Sequence, residues 1–162
     1  MGEFKMRIKI IAIIAFIVCN VAIADDAADA GAKLYEYFAT FNEKDAHKVA
    51  NTIYSTPVHI GGGSGHRVLS DPNTAVENLT NLYAQIEAQG WVESKISDLV
   101  ICLASESLAL VDTRYSRIDN EGNAIPPEIR TTLYVLQRID GDWRIVAFYG
   151  HDNDKRPTCG QG

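Results

Sequence analysis

The sequence predicts an α+β domain, and three observations carry that expectation. Apolar residues recur at helical spacing in the first half of the chain, four later stretches alternate apolar with polar residues, and turn-forming residues separate the last strands. Helices that come first and a meander that follows place the helices on one face of an antiparallel sheet. From about Ala28 to Asn42, Leu34, Tyr35, Phe38 and Phe41 keep a helical period behind acidic residues that suit a helix N-terminus. A second, shorter helix is expected from Asp45 to Tyr54, capped by Asp45, lined by Val49, Ala50 and Ile53, and stopped by Pro57. Val58 to Ile60 reads as a brief strand running into Gly61-Gly62-Gly63-Ser64-Gly65, which no regular element tolerates well. That stretch is a loop rather than a phosphate cradle, because it lacks the Lys-Ser/Thr of that motif. After a short strand from His66 to Leu69, Ser70-Asp71-Pro72 opens a third helix to about Gln89, with Val76, Leu79, Leu82, Tyr83 and Ile86 as its core face. Four strands follow, Trp91 to Leu103, Ser107 to Ile118, Glu128 to Ile139 and Trp143 to His151. Asp119-Asn120-Glu121-Gly122-Asn123 and Asp140-Gly141-Asp142 supply turns, so these strands pair as consecutive hairpins.

Ahead of this domain, Lys5, Arg7 and Lys9 lead into the unbroken apolar run Ile10 to Val18 and a small-residue site, Ala22-Ile23-Ala24. That order is the design of a secretory signal, cleaved after Ala24 to leave Asp25 first; Met6 is an alternative start to Met1. The run is shorter than the ~20 residues of a membrane span, so no membrane partner is expected after signal removal. The expected location is the periplasm or the exterior. The domain plan is a signal over residues 1–24, one domain over 25–152, and a tail over 153–162 that is loosely ordered unless Cys159 ties it down. Removing residues 1–24 takes away three basic residues and Glu3, which moves the formal charge from −6 to −8 and argues against a nucleic-acid partner. Cys102, in an apolar segment, and Cys159, in the polar tail, either form a disulfide in an oxidising compartment or stand as a buried thiol and an exposed one. His47, His59, His66 and His151 are scattered without a Cys or carboxylate cluster, so neither a metal nor another cofactor is expected.

Three stretches then carry a family resemblance. Tyr37-Phe38-Ala39-Thr40-Phe41-Asn42-Glu43-Lys44-Asp45 is similar to an opening Y-x-x-x-h-N-x-x-D, and Ile53-Tyr54 through Ile60-Gly61 to an entry into the first strand. Gly141-Asp142-Trp143-Arg144-Ile145-Val146 is similar to a closing G-x-W-K/R-I. In this order they resemble the nuclear transport factor 2-like superfamily, which includes the SnoaL-like polyketide cyclases and ketosteroid isomerase, over about Asp29 to Asp152. The resemblance implies a strongly curved antiparallel sheet wrapped around about three N-terminal helices as a cystatin-like cone. It also implies a mostly apolar pocket between them and a homodimer through the outer sheet face. Function does not follow from such a fold, which hosts enzymes and binding proteins alike.

In the isomerase branch a tyrosine of the first helix donates a hydrogen bond to a developing oxyanion, and Tyr37 lies at the matching place. The carboxylate base of that branch has no counterpart in Ile60-Gly61-Gly62-Gly63, and its second acidic donor falls on Tyr134, Val135 or Leu136. Ketosteroid isomerase chemistry is therefore not expected. His59 can replace the missing base, since imidazole titrates near neutrality, or it is a surface or hydrogen-bonded structural histidine. Tyr115, Tyr134 and Tyr149 either line the pocket or fill the core and the dimer face. Asp112 and Arg130 form a cross-strand ion pair, or Arg130 receives an anionic or carbonyl ligand. His151 and Asp152 point to opposite faces, which rules out a simple dyad and leaves one of them at the pocket mouth. Gly63-Ser64-Gly65 is no nucleophile elbow. The candidate catalytic residues are thus Tyr37 and His59, and the candidate ligand contacts are Tyr115, Arg130, Tyr149 and His151. The expected function is an exported pocket protein for a small apolar or carbonyl-bearing ligand. A noncovalent acid-base enzyme (isomerase, cyclase or dehydratase) is the alternative, and it requires Tyr37 and His59 to converge. A cavity well below ~300 Å³ favours a third reading, an interaction module filled by its own side chains.

Overall fold

The computed structural model describes residues 26–63 and 65–159; the signal segment proposed over residues 1–24 lies outside the described residues. Helix α1 (residues 26–42) places Ala30, Leu34, Tyr37, Phe38 and Phe41 on one buried side, while Tyr35 is 57% exposed. Spacings of three and four residues make this a single stripe. Tyr35 falls off it, contrary to the expected core face. At the end of α1 the Asn42 side chain reaches the strand β3 (Trp91–Ser105): its Nδ2 donates to the Ser94 carbonyl at 3.1 Å and its Oδ1 accepts from the Ser94 N–H at 2.8 Å. This pair imitates one rung of a β-ladder. Lys44 then takes a left-handed φ of 60°, and Asp45 accepts from the Lys48 N–H at 2.8 Å to cap helix α2 (Ala46–Lys48). Asn42 and Asp45 together therefore reverse the chain, one by bonding to the sheet and the other by starting the next helix.

A π-helical turn, Val49–Ile53, extends α2 and buries Val49, Ala50 and Ile53. Strand β1 (Tyr54–Gly61) follows without a break. It begins earlier than expected because Pro57 does not interrupt it. The pairing register shifts between Tyr54 and His59, so the missing N–H of Pro57 costs no ladder bond. After β2 (Arg67–Leu69), helix α3 (Pro72–Glu87) is capped by Asp71, whose carboxylate accepts from the Thr74 N–H at 3.0 Å. Its buried stripe is Ala75, Leu79, Tyr83 and Ile86; Val76 and Leu82, expected in the core, are only half-buried. Among the described residues no helix is long and apolar enough to cross a membrane.

The remaining strands are β4 (Leu108–Asp119), β5 (Arg130–Ile139) and β6 (Asp142–His151), and the six strands form one sheet in the order β2-β1-β6-β5-β4-β3. Asp140 and Gly141 both take positive φ, 53° and 86°, the pattern of a two-residue hairpin turn. Every junction is antiparallel except β1–β6, where the last hairpin of the meander brings β6 alongside β1 in the same direction. Register shifts interrupt β3 between Trp91 and Glu93, Ile96 and Asp98, and Leu103 and Ser105, and β5–β6 between Val135 and Leu136. Each shift bends and twists its strand, so the sheet curves around the helices.

The outer face of this sheet carries the C-terminal tail. Alternation along β4 turns Val111 and Thr113 inward and Asp112 outward, yet Asp112 is fully buried. The tail covers it: Arg156 Nε donates to Asp112 Oδ2 at 2.5 Å, and the same guanidinium reaches Asp98. His151 Nε2 lies 2.6 Å from the other Asp112 oxygen, and Arg114 donates to the Asn153 carbonyl at 2.7 Å. A disulfide joins Cys102 to Cys159, with their Cα atoms 5.2 Å apart. Residues 153–159 are thus tied to the sheet. The expected Asp112–Arg130 pair does not form, because the register sets Asp112 opposite Leu133 and Arg130 opposite Tyr115.

Arg156→Ala strands a buried carboxylate with only His151 beside it and is expected to cost about 3 kcal/mol. Cys159→Ser opens a loop of 57-residue separation and is expected to cost about 2–4 kcal/mol. Urea denaturation of both variants checks this; a midpoint unchanged by Arg156→Ala shows that the tail is not clamped.

Candidate functional site

The curved sheet and the helices leave a hollow of about 90 Å³. Helix α1 contributes Tyr37, Phe38 and Phe41 to its walls, and β1, β5 and β6 contribute Tyr54, Tyr134 and Phe148. Aromatic rings meet here edge to face: Phe38 on Tyr115 at 5.2 Å, Tyr37 on Tyr134 at 5.7 Å and Phe41 on Tyr83 at 4.8 Å between centroids. Inside this cage the Tyr54 hydroxyl donates to the Tyr37 hydroxyl at 3.3 Å. Burial pushes the Tyr37 hydroxyl up to about 12, while its hydrogen bonds to Tyr54 and Tyr134 pull the other way. Tyr54 and Tyr134 are held well above the ordinary tyrosine value, again chiefly by burial. All three are therefore neutral donors at any physiological pH.

Polar side chains complete the lining. Arg67 comes from β2, Asn78 from α3, Ser94 from β3, Arg117 from β4 and Thr132 from β5. The Nε of Arg117 is buried without a hydrogen-bond partner, as are those of Arg114 and Arg138, but those two donate through a terminal nitrogen and Arg117 does not. Among the described lining residues there is no carboxylate and no imidazole. The arrangement can donate hydrogen bonds and offer positive charge, but it holds no group suited to abstract a proton near neutrality.

Of the six candidate site residues, the structure places Tyr37 and Tyr115 on this hollow. His59 is exposed between the buried Val58 and Ile60, so it points out of the cone, where its Nδ1 lies 3.3 Å from His66 Nε2. Tyr37 and His59 therefore do not share a cavity. Arg130 donates to the carbonyls of Ile125, Pro126 and Pro127 and so holds the β4–β5 connection rather than a ligand. Tyr149 lies on the outer face, 38% exposed, with its ring across Gly61, where a Cβ would collide with it. His151 also belongs outside, on Asp112, because it pairs with Thr131 rather than with the inward-facing Thr132. A wide open depression of about 650 Å³ runs past Arg130 and His151, whose polar atoms already have protein partners. The sequence reading missed Tyr54, Arg67, Asn78 and Arg117 as lining residues. For Arg117 a signal existed, since it continues the inward period of Val111, Thr113 and Tyr115. Arg67 and Asn78 carry none, because they reach the hollow only through the packing of β2 and α3.

Buried neutral phenols make stability depend on alkaline pH. With folded values above the unfolded value near ~10, their contribution is complete below about pH 10 and is lost as pH rises toward 12 and beyond. On raising the pH, at least three of the seven tyrosines are expected to ionise only together with loss of the near-ultraviolet circular dichroism signal. Complete phenolate absorbance at pH ~11 with that signal intact contradicts the cage.

Comparison with known proteins agrees with this architecture. No functionally curated protein matches the chain. An NTF2-like protein with a cystatin-like fold from Novosphingobium aromaticivorans superposes with a TM-score of 0.69 at 9% identity, covering 88% of this chain and 92% of its own. An NTF-2 like protein of unknown function from Shewanella oneidensis gives 0.61 at 16% identity, covering 77% and 98% respectively. The hexachlorocyclohexane dehydrochlorinase LinA-type3 from Novosphingobium barchaimii gives 0.59 at 14% identity, covering 83% and 90%. Identities this low establish a shared fold, one that hosts at least one enzyme. A family model described as NTF2-like protein (DUF6841) matches residues 28–153, and the chain belongs to that family.

Proposed function

We propose that this protein binds a small molecule in the hollow beneath α1 and serves as an exported pocket protein rather than as an acid-base enzyme. One observation carries the proposal: inward-facing donors stand in an aromatic cage whose described lining has no carboxylate or imidazole. Isomerisation, cyclisation and dehydration all need a base within hydrogen-bond reach of the proton removed. A phenol with its pKa pushed up to about 12 donates but does not abstract. The volume of about 90 Å³, against roughly 300–1,000 Å³ for the pockets of drug-sized ligands, limits the occupant to a few non-hydrogen atoms. A carbonyl or similar oxygen facing Tyr37 suits the donors, and a short apolar body suits the rings.

Export is part of the proposal. Its supports are the basic and apolar run ending at Ala22-Ile23-Ala24 and the Cys102–Cys159 disulfide, which suits an oxidising compartment. The small hollow also favours a second reading, an interaction module that fills its own cone. In that case the outer sheet face, with Val68 42% exposed and Tyr149 38% exposed, pairs with a second copy.

Native mass spectrometry of the chain expressed with its own leader, taken from the exported fraction, tests these proposals. The expected species begins at Asp25 and carries one small-molecule adduct. Leu82→Trp, which fills the hollow from its half-buried α3 position, is expected to abolish that adduct without lowering Tm. A wild-type protein free of adduct, with Leu82→Trp destabilised because the cone has no room for the indole, favours the interaction module; a full-length mass in that fraction removes the cleaved signal.

A further inference from the structure

We infer that the hollow receives a small carboxylate with a short apolar body, seated on Arg117, an inference that rests on the pocket reading above. The first support is a contrast among the arginines. Arg138 pairs with Asp26, Arg144 with Asp142, and Arg156 with Asp98 and Asp112. Arg114 donates to the Asn153 carbonyl and Arg130 to three carbonyls of its own loop. Among the described arginines, only Arg67 and Arg117 make no side-chain hydrogen bond or ion pair; both border the hollow, but Arg67 is exposed to water while Arg117 is half-buried.

This is not a shortage of acids, because the chain has 21 acidic residues against 15 basic ones. None of those carboxylates is among the described residues that line the hollow. A guanidinium whose Nε is sealed from water without a partner lowers stability, and folded proteins ordinarily pair such groups. Arg117 sits one inward step beyond Tyr115 on β4, and its charge is felt by the Tyr37 and Tyr134 hydroxyls, which it biases toward ionisation. A planar carboxylate matches the guanidinium fork, and its oxygens can also accept from the neutral phenols. Phe38, Phe41 and Phe148 offer nothing to a second charged group, so the rest of the occupant is apolar. The unpaired cation is then the complement of a charge the ligand brings.

Calorimetric titration of the oxidised mature chain with acetate, propionate and butyrate, each beside its neutral amide, tests this. At least one acid is expected to bind at least tenfold more tightly than its amide, and the preference is expected to shrink as salt is raised. Arg117→Gln is expected to lower acid affinity at least tenfold while leaving Tm unchanged or higher, because it removes an unpaired, partly buried charge. If that variant does not fold, Arg117→Lys, which keeps the charge and loses the fork, is expected to show affinity between wild type and none. Amides that bind as well as the acids overturn the inference and leave the pocket reading intact. So does a wild-type protein that carries a native adduct yet binds none of the acids. If there is neither an adduct nor any binding, the pocket reading fails together with it.

Discussion

A ridge of aromatic side chains on one helix must fit the bend of one sheet, and the remainder of the structure depends on that fit. Leu34, Tyr37, Phe38 and Phe41 are all buried, each contributing on the order of 2 kcal/mol through removal from water. A flat sheet offers them only a plane. The register shifts in β3 and between β5 and β6 curve the strands so that rings from β1, β3, β4 and β5 meet the helix from several sides. Asn42, bonded twice to Ser94, fixes where the helix ends against that curve. The same rings that stabilise the cone also occupy most of it, which is why the hollow is small.

The two faces of the sheet treat charge in opposite ways. Outside, a fully buried carboxylate, Asp112, is matched by Arg156 and His151, and the disulfide holds the tail that supplies the match. Inside, Arg117 borders a hollow whose described lining is aromatic, aliphatic and polar, with no carboxylate. The outer ion pairs are completed within the chain, whereas the guanidinium facing the hollow has no hydrogen-bond or ion-pair partner among the described residues.

Local chemistry made several elements legible. The Asp45 cap, the Asp71-Pro72 helix start, the Asp140-Gly141 turn and the alternation of the long strands all depend on neighbours in sequence, and the structure has them where they were expected. The helix ends before Pro57 as expected, but the first strand starts at Tyr54 rather than Val58, with Pro57 inside it where the register shifts. Asp112 and Arg130 were paired by type and strand, but register separates them. His59 and Tyr149 drew attention by chemistry alone; alternation about Val58 and Ile60, and the close approach to Gly61, turn both outward.

The amino-acid sequence by itself determined the fold class and the order of its elements, while its three motifs carried the family resemblance and, through it, the place of Tyr37. Fold class and element order follow from periodicity, capping and turn residues, whose physics acts over a few positions. Which polar groups converge was decided only by tertiary structure, because Arg67, Asn78, Arg117 and Tyr54 come from four separate elements. Their meeting depends on the curvature of the sheet and the seating of α3, quantities set by the packing of the whole core. The pairing of Cys102 with Cys159 depends likewise on a tail whose path no local signal specifies.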